Sequence, residues 1–160
     1  MKKRLFSALL IALMLDAIVA QCQQLTIQTE IGKQAVLTKG EIEALPTTTV
    51  TTGPSDAPVT FVGISLKALL EKAGVAFGEP LRGKRLASCL LVEAADGYRV
   101  VIALPQLDPA FTDRQIVLAF SRNGKPLDEK EGPYRIVIPD EKRMARWVRQ
   151  VTALRIVDVQ

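Results

Sequence analysis

The residues best suited to chemistry are arginines near the C-terminal end, because the sequence contains no histidine. Without imidazole, the commonest general base is missing, and catalytic triads that use histidine are excluded. Arg135 lies in the apolar stretch "YRIVIP", and Arg143, Arg146 and Arg149 follow at helical spacing. Guanidinium groups match the geometry of phosphate and carboxylate. The arginines are therefore candidates for binding an anion, and no residue is predicted to be catalytic.

The residues alone leave two interpretations of Arg135 open. Its guanidinium can reach the surface along apolar neighbours, or it can be fixed inside an anion pocket. Composition favours the surface, where the three later arginines would form a solvated helix face, although that row could also extend a pocket that begins at Arg135. The carboxylates of Asp128, Glu129, Glu131 and the pair 140–141 are likewise best explained as solvated surface.

The two cysteines, Cys22 and Cys89, do not predict a metal centre, since zinc would need several more ligands. Cys89 lies in "LASCLLVEA", where a thiol usually serves as a small buried hydrophobe, although a metal-binding thiolate is the alternative. Whether Cys22 and Cys89 form a disulfide stays open.

The N-terminal 20 residues have the pattern of a secretory signal peptide. Three basic residues precede the apolar run "LFSALLIALML", which Asp16 closes, and cleavage is expected after Ala20. The run is too short to span a bilayer comfortably, so we expect a periplasmic or secreted protein with no stable membrane span after cleavage. The leader carries half of the formal net charge of +4, and no basic stripe with interleaved aromatics follows. Nucleic acid is therefore not an expected partner.

Residues 21–160 are enough for a single domain with a hydrophobic core. Alternating or continuous apolar runs predict strands, and the Asp96-Gly97 pair between "SCLLVEA" and "YRVVIAL" predicts a hairpin with Tyr98 beside its turn. Thr38 and Ser65 are predicted to cap two short helices, and "EKRMARWVRQ" is predicted to be a third. The predicted fold class is α+β, with β-rich mixed sheets and a few short helices.

Four segments in this order resemble the molybdopterin-binding oxidoreductase domain of the sulfite oxidase type. They lie within about residues 62–157 and read "GISLKALLEKAG", "ADGYRVVIALPQLDP", "VLAFSRNGKPLDEKEGPYRIVIPDEK" and "RWVRQVTALRI". The resemblance implies a β-rich fold around a pyranopterin, with Arg135, Arg146 and Tyr98 as the cofactor-binding residues.

The sequence also departs from the pattern of that family. The family binds molybdenum through a cysteine upstream of the "GISL" helix start, whereas the matching stretch "TTTVTTGPSDAPVTFVGISL" contains no cysteine. Glu131 stands where a histidine commonly precedes the Gly-Pro turn, and a carboxylate there would repel a phosphate-bearing cofactor.

Two functional hypotheses follow from the resemblance and these departures, and a purely structural or interaction domain with no pocket is a third interpretation. The first is a non-catalytic module without molybdenum that binds a small anionic ligand or a protein partner in the exported compartment. The alternative is an oxidoreductase, or a subunit of one, that depends on the molybdenum cofactor, with Cys89 as a metal ligand or with no protein thiolate.

Overall fold

The computed structural model describes residues 24–29 and 32–158, and strands dominate it. The predicted leader and Cys22 lie outside the described residues. Among the described residues, the strands are β1 (Leu25–Gln28), β2 (Gln34–Leu37), β3 (Thr47–Thr52), β4 (Val59–Ser65), β5 (Cys89–Ala94), β6 (Arg99–Ala103), β7 (Val117–Arg122), β8 (Lys125–Pro126), β9 (Arg135–Val137) and β10 (Val151–Val157). The same ranges contain the α-helices α1 (Lys39–Glu43) and α2 (Leu66–Lys72).

The strands form two sheets that share one hydrophobic core. The first has the order β2-β1-β10-β5-β6, with β1 parallel to β10 and the other pairs antiparallel. The second has the order β3-β4-β7-β8, and β9 also pairs with β7. Buried side chains of both sheets, such as Leu90 and Leu154 from the first and Phe61 and Ile136 from the second, belong to one cluster. The predicted β-rich α+β class is confirmed.

The two α-helices begin where the sequence predicts, although only the first is capped by a side chain. The Thr38 hydroxyl accepts from the Glu41 amide at 3.3 Å, and the Glu41 carboxylate accepts from the Thr38 amide at 2.8 Å. The predicted cap at Ser65 is wrong, because its side chain makes no capping hydrogen bond to any described residue. The Leu66 amide instead donates to the carbonyl of Ile116, the residue before β7, at 2.9 Å. This backbone hydrogen bond takes the place of a side-chain cap.

The predicted third helix, "EKRMARWVRQ", is wrong. The segment forms only a 3₁₀ turn, Met144–Arg146, and then continues without regular structure until β10 begins at Val151. The Val148 carbonyl accepts from the Ile136 amide at 2.8 Å, and the Gln150 amide donates to the Glu131 carbonyl at 3.0 Å. These bonds to the chain around β9 replace the i to i−4 bonds that a helix would need, so the arginine row does not form one helix face.

Within the described ranges, no helix is both long and apolar enough to cross a membrane.

Candidate functional site

A cavity of about 840 Å³ opens where the β5–β6 turn meets the chain on either side of β9. Backbone hydrogen bonds connect its walls. The Ala95 amide donates to the Gln150 carbonyl, and the Gln150 amide donates to the Glu131 carbonyl, both at 3.0 Å. The volume lies within the range typical of small-molecule sites. The lining residues are Ala94, Asp96, Tyr98, Glu129, Lys130, Glu131, Arg135, Met144, Ala145, Trp147, Val148, Arg149 and Gln150.

Arg135 lies at the inner side of this cavity and is 8% exposed. Its guanidinium carbon lies 5.6 Å from the ring centroid of Phe61 and 5.5 Å from that of Trp147, and both aromatic residues are buried. Its Nε is buried and has no hydrogen-bond partner among the residues described. The interpretation that Arg135 reaches the surface is therefore wrong, because β9 is buried along its whole length.

A carboxylate of the protein already occupies part of the guanidinium fork of Arg135. Nη1 of Arg135 donates to Oε1 of Glu131 at 2.5 Å, and Nη1 of Arg122 donates to the same oxygen at 3.3 Å. The Glu131 side chain is only 15% exposed. The predicted solvated surface is therefore wrong for Glu131, whereas Glu129, two residues earlier, is exposed.

Tyr98 also lines the cavity and is half-exposed. Its hydroxyl donates to the Ala145 carbonyl at 2.9 Å, and its amide donates to Oδ1 of Asp96 at 2.9 Å. Gly97, between them, has a φ of 83°, which a glycine adopts without steric cost in the predicted hairpin turn. The turn thus holds the Tyr98 ring against the segment that contains Ala145.

Arg146 does not line the cavity, unlike Tyr98 and Arg135. Its Nε donates to Oε1 of Glu141 at 2.8 Å, its Nη2 makes a second close contact with the same oxygen, and its Nη1 donates to Oε1 of Gln106 at 3.2 Å. The Glu141 side chain is mostly buried, which corrects the expectation of a solvated carboxylate there too. Arg146 therefore serves to connect two loops in this structure.

Two exposed cations lie at the cavity mouth: Arg149, which belongs to the arginine row of the sequence, and Lys130, which the sequence did not single out. Lys130 and Arg149 both line the cavity, and neither forms an ion pair with any residue in the described part of the chain. Arg149 was visible as the last member of the arginine row. Lys130 carried no comparable signal, because a lysine between two glutamates is typical of an exposed turn.

Cys89, the cysteine that the structure describes, lies far from the cavity. It is the first residue of β5, whereas Ala94, at the other end of the strand, lines the cavity. Ala94 is five positions after Cys89 along the strand, which corresponds to about 17 Å. Burial, and secondarily the charge of Asp158, raises the pKa of the Cys89 thiol, so the thiolate that would bind a metal is disfavoured.

The described residues also contain no group of three or more cysteine, aspartate or glutamate side chains that could hold a metal ion. The cavity lining offers aromatic surface, amide groups and cations to an organic ligand, and it also contains the carboxylates of Asp96, Glu129 and Glu131. It offers no thiolate from the part of the chain that is described. The lining thus suits an organic molecule with an anionic group better than it suits a metal fixed by cysteine.

Comparisons with known proteins identify the fold and the family. No curated protein matches the chain. Among solved structures, the sulfane dehydrogenase SoxCD from Paracoccus pantotrophus matches with a TM-score of 0.66 and 24% sequence identity, covering 86% of this chain and 38% of that chain. This chain thus spans well under half of the matched chain, and the likeness concerns the fold.

The family model of the oxidoreductase molybdopterin-binding domain matches residues 15–160, which is most of the chain. This confirms the resemblance predicted from the ordered segments and the sulfite-oxidase-like fold predicted with it. The roles of Tyr98, Arg135 and Arg146 in binding a cofactor stay predictions. The chain belongs to the family of oxidoreductase molybdopterin-binding domains.

Proposed function

We propose that this chain is an exported binding module of its family, which takes a small organic ligand with an anionic group into the cavity beside Arg135 and does so without molybdenum. The observation that carries the proposal is the position of Cys89. Its thiol lies at the far end of β5 from the cavity, so it is not placed to fix a metal there. The module would bind its ligand but carry out no redox chemistry.

The features of the cavity support an organic ligand. Tyr98 provides a half-exposed ring at the wall, and Lys130 and Arg149 provide cationic groups that are free of described ion-pair partners. A flat ligand can lie against the ring while its anionic group meets the cations at the mouth. A protein partner in the exported compartment that presents such a group is the corresponding macromolecular ligand.

Family membership favours a second candidate, an oxidoreductase or oxidoreductase subunit that uses the molybdenum cofactor. The matched solved structure carries the name of a dehydrogenase, although this chain covers 38% of it. In this candidate the lining residues Tyr98 and Arg135 would contact the pterin, and the metal ligand would be Cys89, Cys22 or no protein thiolate.

Metal and pterin content separates the two candidates. The full chain is expressed with its leader in a host that makes molybdenum cofactor, and a known molybdenum enzyme from the same host serves as the positive control. Elemental analysis then measures molybdenum, and fluorescence after oxidation measures pterin. We expect less than a tenth of a molybdenum atom per chain, whereas stoichiometric molybdenum and pterin would overturn the binding-module proposal.

If molybdenum is present, single serine variants of the two cysteines locate the ligand. Loss of metal in Cys89→Ser would place the ligand on β5, and loss in Cys22→Ser would place it near the expected mature N-terminus.

The exported fraction from the same cultures tests the localisation. We expect the intact mass of that fraction to match a chain that begins at Gln21. Retention of the whole chain in the cytoplasm would contradict export.

A further inference from the structure

We infer that Glu131 is the specificity-determining residue of the cavity. It fills the anion position at Arg135, so the ligand group at the inner side is uncharged and the anionic group is held at the mouth by Lys130 and Arg149. This inference rests on the proposed function, since it names the class of ligand that the same cavity accepts.

The first step concerns the ion pair itself. Glu131 Oε1 lies 2.5 Å from Arg135 Nη1, and both side chains are at most 15% exposed. A charge pair at this distance, away from bulk water, interacts far more strongly than one at the surface. A phosphate that sought the same Nη1 would have to displace the carboxylate or share the donor with it.

The second step concerns the rest of the fork. The Nε of Arg135 is buried, so a ligand cannot reach it without moving other atoms. Phe61 and Trp147 lie within 6 Å of the guanidinium carbon and limit how far the group can rotate. The guanidinium is thus held in one place, with Nη1 bonded to Glu131 and Nη2 left as a donor for an uncharged acceptor of the ligand.

The third step concerns the charges that remain. Glu131 Oε1 also lies 3.3 Å from Nη1 of Arg122, so one carboxylate forms ion pairs with two guanidinium groups. Lys130 and Arg149, by contrast, are exposed at the cavity and have no described acidic partner. The lining cations without a described acidic partner are therefore those at the mouth, and the exposed carboxylates of Asp96 and Glu129 line the same cavity. The ligand therefore needs an uncharged polar group for the inner side of the cavity and an anionic group for the mouth. A heteroaromatic ring with an anionic substituent has both.

The test compares two glutamates of the same cavity. Glu131→Gln removes the charge that occupies Arg135, and Glu129→Gln removes the same formal charge from an exposed lining position with no ion pair to a described residue. Calorimetric titration of the full chain with inorganic phosphate, at constant ionic strength, gives the affinity of each. We expect at least a tenfold gain for Glu131→Gln and less than a threefold gain for Glu129→Gln.

A double variant assigns the gain to the freed guanidinium. Glu131→Gln combined with Arg135→Gln should return the phosphate affinity to within threefold of the wild type. Equal gains in Glu131→Gln and Glu129→Gln would overturn the inference, because net charge alone would then explain them. A gain that persists in the double variant would overturn it too.

A measurement on the wild type keeps the inference testable if Glu131→Gln does not fold. Arginine side-chain Nε–H resonances are followed by nuclear magnetic resonance during a phosphate titration. The Arg149 signal should move and the Arg135 signal should not, whereas movement of Arg135 with phosphate would overturn the inference. Stoichiometric molybdenum and pterin would refute the proposed function without altering either result, so the two failures are distinguishable.

Discussion

The guanidinium carbon of Arg135 lies 5.5 Å from the centroid of the Trp147 ring. Phe61 lies at a similar distance and meets Trp147 edge-on, with ring centroids 5.9 Å apart and planes at 84°. The aromatic residues thus provide packing for a charge whose partner is Glu131. Because cation and carboxylate are both largely buried, each depends on the other more than a surface pair would.

Removal of either partner should therefore cost more than removal of both. We expect Arg135→Ala to lower the free energy of unfolding by about 3 kcal/mol, since it leaves Glu131 with Arg122 alone and a gap between two rings. Arg135→Met combined with Glu131→Gln should lie within about 1 kcal/mol of the wild type, because no buried charge is then unpaired. Urea unfolding gives the free energy of unfolding of the wild type, of Arg135→Ala and of the double variant. A double variant less stable than Arg135→Ala would contradict this account.

The roles of Arg146 and Arg149 should separate stability from binding. Arg146→Ala removes bonds to Glu141 and Gln106, and we expect a loss of about 2 kcal/mol with no change in phosphate affinity. Arg149→Ala removes an exposed cation at the cavity mouth, so stability should change by less than about 0.5 kcal/mol. Phosphate affinity should fall at least threefold in that variant. The reverse pattern would support the role in ligand binding predicted from the sequence for Arg146.

Tyr134 should make the fold sensitive to alkaline pH. Its side chain is 1% exposed, and its hydroxyl has no hydrogen-bond partner in the described ranges. Burial, and secondarily the charge of Glu43, raises the pKa of Tyr134 to about 12 from its ordinary 10.0. A raised folded-state pKa means that the stabilising contribution is complete below pH 10 and is lost as pH rises from 10 to about 12.

Tyr134→Phe tests this effect. The variant should lack that part of the alkaline loss, which amounts to roughly 2 kcal/mol, because it has no phenol to ionise. At pH 7 it should be at least as stable as the wild type, since it removes a buried hydroxyl without a described partner. Denaturant unfolding at pH 8 to 11.5 makes the comparison, and parallel curves for the two proteins would exclude Tyr134 as the group responsible.

Gly63 should not tolerate any side chain. A Cβ atom there would lie 2.2 Å from the Leu118 carbonyl oxygen and 2.5 Å from the Cα of Ala119, both of which are backbone atoms of β7. We expect Gly63→Ala to cost more than about 3 kcal/mol or to prevent folding, because the paired strands would have to separate. Gly40→Ala is the matched control in α1, where no described atom lies within 4 Å of the added Cβ. It should stabilise the protein by about 0.5 to 1 kcal/mol, as measured by thermal unfolding.

Much of the secondary structure could be predicted from local sequence because local chemistry decides it. The Thr38 capping box and the Asp96-Gly97 turn depend on neighbours a few residues away, and both are present. The helix predicted for "EKRMARWVRQ" is wrong because residues that are distant in sequence decide the backbone there. Its helical spacing is real, but hydrogen bonds from residues near β9 fix its backbone, and the sequence does not show that these two stretches are adjacent.

By itself, the sequence determined the family, the β-rich fold class and the absence of histidine chemistry, and it named Arg135 as a candidate. Only the tertiary structure decided which cations face the cavity. Arg146 and Arg149 are similar residues three positions apart, yet the first bonds to Glu141 and the second lies at the cavity mouth. The pairing of charges in the site depends on contacts as well, since Glu131 pairs with Arg135 only because the loop before β9 brings the carboxylate within 2.5 Å of the guanidinium.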